Sequence, residues 1–457
     1  MGKFIIHPEP AESIFPVTPK YIVHRSDRCI ACGRCAIRCI YDAHFRSVAD
    51  YRIMAEPDST KCKRCLVCIQ DCPVKALTIT PSKEYIKMGD DTFTPDIITT
   101  CMRESETGKN PVSGGGYGGV FTGKGFESFW TDMSEIVRPT RDGIHAREYI
   151  STAVEIGRKP QDVSSLSFDE MGTPLTNIPP SIEINLPILF DLTSLSIVSP
   201  ELERAVAETS AALRTLAFIS RERLGKTLEP LASYLIESFK PEEVPWGELV
   251  EIGKERGIIE LRYSPSIAGL PLSLKKVNAD LIVAVRLEEP ESPEEKVREI
   301  YQTGADIIHL RSRRDLPGMI RAAHCALVKD GVRDEITIIA SGAIAEASHV
   351  PKAIILGADA VAIDQPFMSA LGCILCGACI ENGHCPRKLQ SIEYSWGKKR
   401  ITNLMASWHN QLLEILGAMG MREVSRLRGE VGRAIFYDDL EKELKRDLEH
   451  ANDKKSV

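Results

Sequence analysis

Twelve of the chain's fourteen cysteines fall into three runs of four. Cys29, Cys32, Cys35 and Cys39 make the first run; Cys62, Cys65, Cys68 and Cys72, followed by Pro73, make the second. Both are spaced C-x2-C-x2-C-x3-C, the bacterial two-cluster ferredoxin pattern, in which the fourth cysteine of each run ligates the other cluster. Tight turns of two residues bring three thiolates to one iron–sulfur cube, and the fourth arrives from further away. Cys72 is thus expected to complete the 4Fe-4S cluster of Cys29, Cys32 and Cys35, and Cys39 that of Cys62, Cys65 and Cys68. Ile40 stands where the pattern usually has proline, read as a local change of turn. The third run, Cys373, Cys376, Cys379 and Cys385 before Pro386, has C-x2-C-x2-C-x5-C spacing and implies one further 4Fe-4S or 3Fe-4S cluster in another domain.

Zinc and disulfides are the alternatives for so many thiols. Structural zinc takes four ligands, commonly two separated C-x2-C pairs, and three successive close cysteines suit one tetrahedral ion poorly. Disulfides need an oxidising compartment, and residues 1–20 lack a basic start followed by an apolar signal core, so a cytoplasmic location is expected. Cys101 and Cys325 are left over and read as small buried hydrophobes. A formal charge of -7 argues against nucleic acid, and no apolar stretch is long enough to span a membrane.

These thiols need a frame to hold them. Residues 1–25 read as an arm and 26–85 as an α+β ferredoxin-like two-cluster domain, too small to bury a sufficient core without its clusters. Residues 86–130 read as a glycine-rich linker or lid. The glycine run at 113–119 lacks the ending of a phosphate-cradling loop. From about 180, short apolar runs at 188–191, 213–219, 258–263, 279–285, 305–310, 336–341 and 360–363 alternate with helical stretches at 200–212, 293–303 and 349–356. That alternation predicts an α/β fold, a (β/α)8 TIM-type barrel over 131–400, with one strand not identified. A helical extension follows over 401–457, its last twenty residues rich in Glu and Lys and read as an exposed, fraying helix.

The loops after the last two strands of such barrels often hold a phosphate. Ser341 and Gly342 are expected to supply part of that site, and FMN is the ligand that most economically joins it to iron–sulfur clusters.

The order of these features resembles a known family. From about 180 to 425 the chain is similar to the flavin-binding domain of glutamate synthases, and the whole resembles the archaeal-type, glutamate synthase-related proteins with an N-terminal ferredoxin domain. Glu260, Leu261, Arg262, Tyr263 and Ser264 at a strand end, Ser341-Gly342, the stretch from Lys352 to Leu356-Gly357-Ala358-Asp359, Ala370-Leu371-Gly372-Cys373, Asn403-Leu404 and the 413–420 helix carry the likeness. It implies an FMN-binding barrel fed by clusters. Arg262, Ser341, Gly342, Gly357 and Lys352 are the cofactor-binding candidates, with Arg262 positioned to stabilise a reduced flavin ring. It also implies a three-cysteine, three-iron cluster at the third run, with Cys376 as the additional thiol.

The departures are specific. The family's lysine-glutamine-glycine loop is Arg262 to Gly269 here, and its glycine-threonine-glycine substrate loop is replaced by His309, Leu310, Arg311, Ser312, Arg313, Arg314 and Asp315. Ala343 replaces a glycine, and Asp364-Gln365 stands where the backbone should close on phosphate, a repulsive arrangement unless a cation intervenes. Glutamate formation is therefore not expected. Arg311 and His309 are the catalytic candidates, for a small acidic substrate and for proton delivery; a solvated loop and a satisfied core histidine are the plainer readings. Two functions follow: a ferredoxin-linked flavin oxidoreductase, or a non-catalytic electron-transfer subunit whose barrel has lost flavin and docks the redox partner or other subunits of a larger complex.

Overall fold

The computed structural model describes residues 4–16, 18–109, 123–133, 149–159, 167–173, 179–195, 199–225 and 227–442. The glycine run at 113–119 and the charged end of the chain beyond 442 lie outside them.

The N-terminal module is a two-stranded antiparallel sheet carrying cysteine loops. Strand β1 (Tyr21–Arg25) pairs with β2 (Leu77–Pro81), so the last five residues expected as arm belong to this module. Two short helices, Arg34–Arg38 and Val67–Gln70, neither with a buried residue, lie between them.

Three short strands precede the barrel: β3 (Phe129–Thr131), and β4 (Val154–Gly157) paired with β5 (Ser181–Ile184). The barrel proper begins only at β6 (Ile188–Asp191). It continues through β7 (Ala217–Ser220), β8 (Leu235–Phe239), β9 (Ile258–Arg262), β10 (Ile282–Glu288), β11 (Ile307–Arg311), β12 (Thr337–Ser341) and β13 (Ala360–Ile363), which closes on β6. All eight neighbours pair in parallel. The strands are apolar along nearly their whole length because helices cover one face and packed side chains fill the other. Strand β14 (Ala434–Phe436) then pairs back with β3. Thr337, the first residue of β12, exchanges hydrogen bonds with Gly157 N–H and C=O, so the β4–β5 ribbon covers the N-terminal end of the barrel.

The strand that sequence reasoning did not find is β8. Its polar Glu237 and Ser238 break the apolar run, yet all five residues are buried. Arg221 and Arg256 reach Glu237 at 3.2 and 2.6 Å and neutralise it. The run expected at 213–219 is shorter in the structure, since Leu213 ends the helix Pro200–Leu213 and the strand starts at Ala217.

The linker assigned to 86–130 also needs correction. Helix Pro95–Thr107 lies within it, opened by Thr94, whose hydroxyl accepts from Ile97 N–H, and closed by Gly108 at φ 70°. It packs against helix Tyr394–Ala418, which begins before the expected boundary at 401. Arg400 joins three segments here, donating to the carbonyls of Ala370, Ala11 and Met102 at 2.5, 2.6 and 2.8 Å. Asn403 ties in the arm through Glu9 N–H and C=O.

Glu104 is buried in this contact and accepts from Ser407 Oγ, Trp408 Nε1 and Gln411 Nε2. Burial raises its carboxyl more than those bonds lower it, to about 7 from 4.5. The folded state therefore holds this proton more tightly than the unfolded chain. Its stabilising effect is full below the unfolded value and is lost as pH rises through the folded one. We expect about 2 kcal/mol to be lost between roughly pH 5 and 8, read as a falling thermal midpoint. Glu104→Gln should flatten that slope; an equal slope in the variant would contradict the assignment.

Candidate metal centres

The cysteine loops share one backbone conformation. In each run the second residue after the first cysteine and the residue after the second cysteine are left-handed: Ala31 and Gly33 (φ 52° and 76°), Arg64 and Leu66 (57° and 62°), Leu375 and Gly377 (48° and 74°). A non-glycine residue there costs about 1–2 kcal/mol. Four of the six carry a side chain, so the strain is accepted three times over to turn thiols toward a common point. A short helix follows each loop, and the fourth cysteine comes after it.

Where that fourth cysteine goes differs between the runs. Cys72 lines a cavity with Cys29, Cys32 and Cys35, whereas Cys39 lines another with Cys62, Cys65 and Cys68. The fourth thiols are thus exchanged between the first two runs. Backbone N–H groups of Ala43 and Ala76 point at the sulfurs of Cys39 and Cys72, at 3.4 and 3.2 Å. All described cysteines are free thiols. Burial first, then the neighbouring sulfurs, pushes Cys68 up to about 11. Four such sulfurs ionise together only around a group of high positive charge.

In the third run the two extra residues, with Gly383 at φ 70°, bring Cys385 back to its own loop. Cys373, Cys376, Cys379 and Cys385 line one cavity of about 420 Å³, and burial pushes Cys373 up to about 12. Leu195, Arg313, Gln365 and Met368 complete its wall. They follow β6, β11 and β13, so this cavity opens at the C-terminal mouth of the barrel. Arg313 also pairs with Asp90 at 2.6 Å, and Gly89 N–H donates to Ile374 C=O, which fastens the segment after the N-terminal module to the same place.

A charge network fills the barrel below that mouth. Arg286 on β10 reaches Asp191 on β6 at 3.0 Å and Glu260 on β9 at 2.9 Å, each fully buried. His309 on β11 donates from Nδ1 to Glu260 at 2.6 Å and accepts at Nε2 from the Ser341 hydroxyl at 2.8 Å. Burial, then Arg286, holds the imidazole below its usual value, so it is neutral. The Glu260–His309–Ser341 line has the order of an acid–base–nucleophile relay, but all three side chains have no exposed surface. Arg311 bridges Asp364 and Asp191 at 3.2 and 3.5 Å; this is the cation that the carboxylate after β13 requires.

Several expected site residues are placed elsewhere. His309 has both ring nitrogens occupied inside the barrel and has no proton to deliver at the mouth. Lys352 lies on helix His349–Ile355, donates to Phe126 C=O at 2.7 Å and sits 3.6 Å from Glu127, outside the barrel. Gly357 precedes β13, at the opposite end from the mouth, where a Cβ would lie 2.3 Å from the His324 ring. Gly342 does follow β12, but a Cβ there would meet Ser312 C=O at 2.5 Å, so this glycine serves a close loop crossing. Of the cofactor candidates, Arg262, Ser341 and Gly342 stand at the C-terminal ends of their strands, and Ser341 is committed to His309.

Asp191 and Arg286 were missed. The available signal was a single charge ending or interrupting an otherwise apolar strand, of opposite sign in different strands, which only neutralisation across a barrel allows.

Comparison with known proteins bears on the same region. Residues 302–422 match a family described as a conserved region in glutamate synthase. An archaeal-type glutamate synthase [NADPH] of Dehalococcoides mccartyi is 25% identical over 492 residues, covering 90% of this chain and 94% of that protein. An archaeal glutamate synthase [NADPH] of Methanocaldococcus jannaschii is 40% identical over 133 residues, 27% of this chain and 26% of that protein. Among solved structures, a mandelate oxidase variant with an FMN adduct superposes with a TM-score of 0.39 at 18% identity, over 65% of this chain and 91% of the other.

Proposed function

For this glutamate synthase-related chain, we propose the role of an iron–sulfur oxidoreductase in which three clusters carry electrons between a partner protein and the mouth of the barrel. The observation that supports it most is the left-handed loop repeated three times around four thiols. The exchanged Cys39 and Cys72 fit a pair of four-iron clusters, and the returning Cys385 fits a self-contained third. Beside the first run Ile30, Ile37, Ile40 and Val48 are exposed, a surface suited to docking a redox protein.

Relationship to glutamate synthases supports FMN at the mouth, where Arg262, at the end of β9, would be a cation available to the flavin ring. Flavin, when bound, exchanges electron pairs with a substrate and single electrons with a cluster. The second reading, an electron-transfer subunit without flavin, is favoured by the Arg286 network and by the commitments of Ser341 and Lys352. Anaerobic isolation followed by flavin extraction separates them: about one FMN per chain for the first, none for the second.

The substrate, if the barrel is catalytic, is proposed to be a small acidic compound other than the glutamate synthase pair. The segment from His309 to Asp315 replaces the substrate loop, and two of its three arginines, Arg311 and Arg313, are held by Asp364 and Asp90. With reduced ferredoxin, 2-oxoglutarate and ammonia or glutamine, we expect turnover at least about a thousandfold below an ordinary enzyme rate. Steady glutamate production would overturn this part.

A further inference from the structure

A second cavity in the N-terminal region has no place in the electron path. It measures about 430 Å³ and is lined by Thr18, Lys20, Tyr21, Thr60, Cys62, Lys63, Arg64, Tyr85, Asp96, Thr99 and Arg103. Four of these are cations and one is a carboxylate, in a chain whose formal charge is -7. The single carboxylate is already used, since Asp96 accepts from Lys20 at 2.6 Å and from Tyr85 at 2.6 Å. Arg64 lends one N–H to Tyr21 Oη at 3.2 Å. Among the described residues, Lys63 and Arg103 are paired with no carboxylate. Concentrating like charges in a concavity is unfavourable unless an anion enters.

The walls come from separate parts of the chain. Lys20 and Tyr21 lie at the start of β1, Lys63 and Arg64 in the second cysteine loop, and Arg103 on helix Pro95–Thr107. Cys62 and Lys63 line both this cavity and the one that holds Cys39, Cys65 and Cys68. The hydroxyls of Tyr85, Thr60 and Thr99 already donate within the protein, so ammonium and guanidinium groups are left to make the recognition. Two guanidinium forks and the ammonium of Lys63, with Lys20 already paired to Asp96, match the oxygens of a phosphate ester or pyrophosphate better than one planar carboxylate.

We propose that this cavity binds a phosphate-bearing small molecule, and that its occupancy adjusts the redox poise of the adjoining centre built on Cys62. Negative charge beside a cluster disfavours its reduction. The bound anion would therefore act as a brake on electrons entering through the second N-terminal centre.

The test uses the full chain, isolated anaerobically, with inorganic pyrophosphate as probe and citrate as the carboxylate control. Calorimetry should give saturable pyrophosphate binding that weakens with salt, tighter than citrate, and weaker by about tenfold or more in Lys63→Gln and in Arg103→Gln. Lys63 is exposed, so its variant keeps the fold even where the Arg103 change does not. A redox titration should show one N-terminal centre moving to lower potential with pyrophosphate, and no shift in the variants. Absence of binding at millimolar probe, equal binding to both variants, or citrate bound as tightly would overturn the site. Binding without a shift in potential would overturn the regulatory part alone. This inference rests on the iron–sulfur reading, and iron and labile sulfide counted on the same sample separate the two failures: no pyrophosphate binding by a chain that carries its iron overturns the site, whereas a chain without iron overturns the iron–sulfur reading.

Discussion

Cys376→Ser is expected to convert the barrel centre from a four-iron to a three-iron cluster while both N-terminal centres stay intact. In the glutamate synthases that the chain resembles, three cysteines hold a three-iron cluster at this point, and Cys376 is the additional thiol. The structure gives Cys376 the same station as Cys32 and Cys65, between two left-handed residues that aim its sulfur into the common cavity. Loss of one corner ligand should remove about one iron per chain and leave a paramagnetic three-iron signal in the oxidised protein. Cys373, by contrast, is largely buried between Gly372 and Ile374, and Cys373→Ser should remove the whole centre. Iron content and spectrum unchanged in Cys376→Ser would mean that this thiol is not a ligand.

Asp191→Ala is expected to be the most damaging change in the barrel. It leaves Arg286, 1% exposed, with only part of its negative surroundings, and frees Arg311 from one of its two carboxylates. Breaking a buried ion pair from one side costs about 3–5 kcal/mol, because a desolvated charge remains. Replacing the pair together, as Asp191→Leu with Arg286→Met, should be less harmful than the single change. Thermal or denaturant midpoints of the two variants measure this. A double variant destabilised, relative to the unaltered chain, by the sum of the separate Asp191→Leu and Arg286→Met effects would show that the pair does not act as a unit.

The periodicity of the chain carried most of the barrel. Seven strand regions, and helices such as Pro293–Gln302 and His349–Ile355, are visible as short apolar runs alternating with helical stretches. β8 was hidden because Glu237 belongs in a strand only when Arg221 and Arg256 come from elsewhere to meet it. Helix Pro95–Thr107 was hidden for a similar reason: its buried side includes Thr99, whose hydroxyl donates back to Pro95 C=O, Ser105, whose hydroxyl donates to Ala370 C=O, and Glu104, which a helix some three hundred residues later satisfies. The cysteine runs were visible in the sequence, since spacing of two residues dictates a tight loop whatever surrounds it. The surroundings of the flavin candidates were not. Ser341, Gly342 and Gly357 are small residues in a familiar order, and small residues serve close packing as readily as phosphate binding. Only the neighbours Ser312, His309 and His324 decide between those uses.

Among the described residues no helix is long and apolar enough to cross a membrane.

The most direct test is metal analysis with Mössbauer spectroscopy on the anaerobically isolated chain grown with enriched iron. Three four-thiol centres predict about twelve iron and about twelve acid-labile sulfide per chain, all in cubane-type signals that bleach in air. About three zinc ions per chain with no labile sulfide would contradict the iron–sulfur account altogether.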